Sequence, residues 1–231
     1  MKILLSVLLV LVILGLLIVI SFNRTTSFVN DIDIEEPANG DDRGYTMPSR
    51  REVKLNVFFT GIFMKPAYKS IVKAMELKGD ETVMDFGSGT GPASELIAES
   101  LKNGEGQLTC LDISETWMKV IKKRFQEYDN IEYLLGDIIE MELSENTYDV
   151  ILIHFVLHDI DKAIRPAIIE KLAYILKSGG RLVIREPSGS DHGMSGEEIK
   201  ELMSSNGLIE KSFKSSKTYL IMPVNQGIFQ K

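Results

Sequence analysis

The stretch Thr82-Val83-Met84-Asp85-Phe86-Gly87-Ser88-Gly89-Thr90-Gly91-Pro92 constrains this chain more than any other. Its apolar run, Val83, Met84 and Phe86, suits a buried strand. Gly87, Gly89 and Gly91 then admit backbone conformations closed to other residues and remove the Cβ atoms that would hold a ligand off. Pro92 fits the first turn of a helix, where a missing N–H costs nothing. Strand, tight turn and helix N-terminus together turn bare N–H groups outward, which suits a nucleoside or a carboxylate. The spacing is GxGxG. In the dinucleotide fingerprint, GxGxxG, the third glycine would fall at position 92, which is proline here.

The units that follow repeat the alternation. Strand 82–86 leads to a helix over 92–102, strand 107–111 to a helix over 114–127, and strand 131–135 to a loop. Strand 148–154 leads to a helix over 161–177, which Gly179-Gly180 should cap before a strand over 180–185. A helix over 196–205 ends at Asn206-Gly207, and the runs 207–214 and 217–224 suit an antiparallel pair. Strands alternating with helices predict an α/β fold, a Rossmann-like doubly wound and mostly parallel sheet with an antiparallel C-terminal strand.

Ahead of this domain, Ile3 to Phe22 is almost wholly apolar and uncharged, about the length that crosses a bilayer. No small-residue cleavage site follows, so residues 1–22 are expected to be an N-terminal transmembrane anchor, with a cleaved signal as the alternative. Lys2 and Arg24 flank the run and leave its orientation nearly tied. Residues 23–46 lack apolar periodicity and are expected to form a flexible linker, leaving 47–231 as the folded domain. The segment Arg50 to Met64 carries too many apolar residues for one narrow stripe. Two roles fit it: packing on the sheet edge, or a lid or membrane-dipping surface with Arg50, Arg51 and Lys54 near lipid phosphates.

A net charge of −7 without a long basic run makes nucleic acid an unexpected partner. Three histidines and one cysteine offer no zinc constellation, so no metal is expected. Cys110 sits in the second strand as an apolar filler.

In the pieces VMDFGSGTG (83–91), LDIS (111–114), LLGDI (134–138), YDVILIHFVLH (148–158) and LKSGGRLVIREP (176–187), the chain resembles the class I S-adenosylmethionine-dependent methyltransferases. The resemblance implies S-adenosyl-L-methionine as cofactor. It implies that Gly87, Ser88, Gly89 and Gly91 approach its amino-acid and ribose parts, and that Asp85 orients the loop or the ammonium group. Asp112, beside Ile113, would accept the ribose hydroxyls, and Asp137 would take the adenine amino group with Ile138 beside the ring. His154 or His158 is a candidate base, oriented by Asp159, and Glu186 also falls on the acceptor side. Trp117 and Met118 lie where an apolar residue meets adenine, or where a helix face is simply buried. Taken one at a time, Asp112 and Asp137 also suit capping and turn roles.

Neither an Asp/Asn-Pro-Pro-aromatic motif nor a paired-glutamate loop follows the fourth strand, which points to a small-molecule or lipid acceptor, such as a quinone precursor or phospholipid. This cofactor is cytosolic, so the domain is expected to face the cytoplasm. Two alternatives stay open, a nucleotide-dependent oxidoreductase and a non-catalytic tethered cofactor-binding module.

Overall fold

A computed structural model describes residues 2–34, 48–189, 193–218 and 222–231. Seven strands form one sheet: β1 Thr82–Phe86, β2 Gln107–Asp112, β3 Ile131–Leu135, β4 Tyr148–His154, β5 Leu176–Pro187, β6 Ile209–Thr218 and β7 Met222–Gln230, in the order β3-β2-β1-β4-β5-β7-β6. β1 to β5 are parallel; β7 runs antiparallel to β5, and β6 antiparallel to β7. The order reverses between β1 and β4, and a crevice opens there at the carboxyl ends of the strands.

Alternation along the strands builds a core on each face. Met84, Ile151 and Ile153 pack toward helices α6 (Arg165–Ile175) and α7 (Gly196–Ser205). Val83, Val150 and Leu152 pack toward α3 (Lys65–Ala74), α4 (Pro92–Leu101) and α5 (Glu115–Arg124). Cys110 is buried among the second set.

Two details differ from the expectation. Helix α6 stops at Ile175, and Gly179, with φ +79°, lies inside β5 where its register with β4 shifts, so the glycine pair serves a strand irregularity and not a helix cap. The terminal hairpin lies further along the chain than 207–214 and 217–224. Asn206-Gly207 does end α7, with Gly207 at φ +73°.

The N-terminal helix α1 spans Lys2–Asn30, eight residues past the expected end of the anchor. It is long and apolar enough to cross a membrane, and hydropathy alone would admit Val10–Asn30 as the span. Its last turns are engaged, however. Val29, Ile32 and Ile34 are buried against Val53 and Val120, and Phe22 meets Phe58 edge-on at 5.3 Å. Arg50, at the start of helix α2 (Arg50–Ile62), donates to the carbonyls of Val29, Ile32 and Ile34 at 3.1–3.3 Å. Lys123 on α5 pairs with Asp31 at 3.5 Å. Residues 23–34 are therefore docked on the domain; of the expected linker, only 35–46 lie outside the described residues. Arg50 caps the end of α1, so it is not available to lipid phosphates.

Candidate active site

The crevice is a cleft of about 1110 Å³ bordered by residues from β1, β2, β4, the loops that follow them, α2 and α3. Its floor is the glycine turn. Gly87, Gly89 and Gly91 all have positive φ, +72°, +54° and +81°. A Cβ on Gly87 would overlap Val156, and one on Gly91 would strike Phe125 and Ile121. A Cβ on Gly89 would meet nothing within 4 Å. Gly89 alone is thus open to a ligand, whereas Gly91 does not border the cleft and instead lets α4 pack on α5.

Asp112 ties this turn to the next strand. Its Oδ2 accepts the Gly89 N–H and its Oδ1 the Ser114 N–H, both at 2.8 Å. The helix cap is Ser114, which accepts from the Trp117 N–H. Burial raises the Asp112 pKa against the opposing pull of those N–H groups. The carboxylate also takes the Ile113 N–H and, with about four lone-pair positions, keeps capacity for a further donor. Asp85 is buried beside it and accepts from the Ser94 hydroxyl. Burial pushes the Asp85 pKa up to about 6, with the Asp112 charge adding to the shift. Asp137 borders the cleft and accepts the Ile139 N–H at 2.9 Å, with Ile138 buried next to it. Ser88 and Ile113 complete this half.

The two histidines diverge. His154 borders the cleft, is 9% exposed, lies tilted against the Tyr68 ring at 4.9 Å and leaves Nε2 without a partner among the described residues. Burial, helped by the Arg185 charge, lowers its pKa to about 3, so it is a neutral imidazole fit to accept a hydrogen bond. His158 does not border the cleft. Its Nδ1 lies 2.7 Å from Glu186 Oε2, and Glu186 is fully buried, also accepting the N–H groups of Val156 and Leu157. Burial pulls the His158 pKa down, but the hydrogen bond and charge of Glu186, with Asp159, outweigh it and raise the value. His158 and Glu186 thus brace the cleft wall from behind. Asp159 stays largely exposed at the rim.

Phe155, expected to border the acceptor from its place after the fourth strand, does border the cleft, and so do Asn56, Tyr68, Thr90, Ile160 and Ile164, which are not among the expected site residues. Asn56 accepts the Thr90 hydroxyl at 2.8 Å, which fixes α2 over the glycine turn. No local motif marks Asn56 and Tyr68, because α2 and α3 reach the cleft only through packing. Trp117 borders the cleft, whereas Met118 is core.

Ser88 Oγ and His154 Nε2 are buried atoms without partners among the described residues, both on cleft residues, and Gly89 leaves open space. A ligand with polar groups fits such a lining. The fold and this crevice define a doubly wound α/β domain with a ligand cleft at the switch point of its sheet. Residues 83–180, less than half of the chain, match the family described as a methyltransferase domain.

Among relatives, a demethylmenaquinone methyltransferase of Listeria welshimeri is 30% identical over 122 residues, 52% of this chain and 50% of that protein. The chain therefore spans about half the length of the curated relatives it matches. In fold, the N-methyltransferase NodS of Bradyrhizobium japonicum, solved with S-adenosyl-L-homocysteine, is similar at a TM-score of 0.63 and 17% identity, over 74% of this chain and 88% of that one. The [4+2]-cyclase SpnF is similar at a TM-score of 0.62 and 12% identity, over 89% and 90%.

Proposed function

We propose that this protein is a membrane-anchored enzyme that transfers the methyl group of S-adenosylmethionine to a hydrophobic small molecule or lipid. The observation that carries the cofactor is the charge of the cleft. Asp85, Asp112, Asp137, Asp159 and Asp161 border it, and no Lys or Arg does among the described residues. Such a lining attracts a cationic sulfonium with its ammonium group and repels the diphosphate of a nicotinamide dinucleotide. This disfavours the oxidoreductase alternative.

The turn at Gly87, Ser88 and Gly89 would hold the amino-acid part, and Asp85 its ammonium. The remaining acceptor capacity of Asp112 suits a ribose hydroxyl, and Asp137 with Ile138 suits adenine. When bound, the cofactor supplies a methyl group already activated by its sulfonium. His154, neutral and with its Nε2 unpartnered among the described residues, would accept a hydrogen bond from the acceptor, so that alignment rather than strong base chemistry does most of the work. Relatives named demethylmenaquinone methyltransferases, together with the apolar α1, favour a quinone-type acceptor.

Calorimetric titration of the full-length chain in detergent should give saturable binding of S-adenosylmethionine and S-adenosylhomocysteine and none of NAD. Asp112→Asn should weaken that binding tenfold or more, about 1.4 kcal/mol. Binding of NAD alone would overturn the assignment. Cofactor binding without methyl transfer to any quinol or phospholipid would leave the non-catalytic alternative.

A further inference from the structure

Helices α1 and α2 pack antiparallel. Phe22 meets Phe58, Val29 packs with Val53, and Arg50 reaches the carbonyls of Val29, Ile32 and Ile34. The carboxyl end of α2 therefore lies where the apolar run of α1 leaves off, and the Arg50 end lies farthest from it. Leu55, Phe59 and Phe63 recur every fourth residue along one helix face. They are 40%, 50% and 48% exposed, although Phe58, between them, is buried. Phe59 and Phe63 each lie against Phe58, which in turn touches Phe22, itself 43% exposed. The exposed apolar surface of α1 thus continues onto α2 without a break.

Charge follows the same boundary. Residues 53–75 contain Lys54, Lys65, Lys69 and Lys73 and no Asp or Glu, in a chain of net charge −7. Lys65, Lys69 and Lys73 are exposed and share one face of α3. Apolar side chains beside a run of one positive sign match the acyl boundary and anionic headgroups of a bilayer.

We infer that the turn between α2 and α3 sits in the membrane interface, with Leu55, Phe59 and Phe63 in the lipid and Lys65 and Lys69 at anionic headgroups. This rests on the reading of α1 as an anchor. Asn56 and Tyr68, on either side of the turn, border the cleft, so an acceptor dissolved in the bilayer meets the site where the domain touches lipid.

The test uses the full-length chain in phosphatidylcholine vesicles with and without phosphatidylglycerol, spin-labelled at Phe59→Cys, at Phe63→Cys and, as the far-end reference, at Arg51→Cys. Cys110 is buried with its thiol pKa pushed up, so it stays unlabelled. The ratio of oxygen to nickel-chelate accessibility should be at least about threefold higher at 59 and 63 than at 51, and should rise further with phosphatidylglycerol. Retention through an alkaline wash with equal ratios at all three sites would overturn the inference and leave the anchor standing. Release by the wash would overturn the anchor, and the inference with it. Ratios indifferent to phosphatidylglycerol would overturn the role of the lysines.

Discussion

Asp85 is held in a state that opposes stability. Its folded pKa of about 6 exceeds the ordinary 3.8, so the native protein binds this proton more tightly than the unfolded chain does. The group's contribution to stability is complete below pH 3.8 and is lost as pH rises through about 6. Asp85→Asn keeps an acceptor for Ser94 and removes the buried charge. It should raise stability at neutral pH by up to about 3 kcal/mol and lose that gain below the ordinary carboxylate pKa. Thermal melts at the two pH values, followed by the fluorescence of Trp117, would measure this. An equal gain at both would show that the charge is not its source. A destabilising carboxylate kept at a cleft suits a site whose partner is a cation. Its position was legible as the acid before the glycines. Its burial was not, because that depends on α4 closing over it through Ser94.

At the scale of elements, the turn after β4 shows what the sequence could not reveal. Phe155 takes φ +60°, unusual for a residue with a side chain, and its N–H donates to the Arg185 carbonyl at 2.9 Å. The next two N–H groups end on Glu186, and His158 closes the arrangement. His158 has the residue type of a base, but its place is set by a carboxylate 28 residues away on β5. His158→Ala should lower stability by about 3 kcal/mol, since it leaves the buried Glu186 carboxylate with two backbone N–H donors but without its cationic partner. Because the His158 pKa is raised above 6.5, the pair's contribution is complete below that value and is lost as pH climbs through the folded pKa. The gap between wild type and variant should therefore narrow in alkaline buffer. A gap constant with pH would remove the ionic part of the argument. The glycine turn and the first four strands, in contrast, were readable, since local pattern and turn chemistry agree there.

Across the whole molecule, the docked end of α1 brings residues 23–34, half of the expected tether, onto the domain. The carboxyl terminus lies far from the cleft: the Lys231 N–H donates to the Gly180 carbonyl at the start of β5. A reporter joined there leaves the site undisturbed. It should resist external protease in intact cells if the domain faces the cytoplasm, and digestion without lysis would reverse the orientation.

By itself the sequence determined the class of fold, the glycine turn and the acids at the strand ends. Each of these follows from alternation, spacing and residue chemistry within a few positions. Only the tertiary structure decided which glycine is open to a ligand, which histidine reaches the cleft and where α1 meets the domain. Those outcomes depend on contacts between residues far apart in the chain: Val156 against Gly87, Glu186 on His158, Arg50 on the end of α1. No local pattern encodes such pairs, because packing selects them only after the elements have formed.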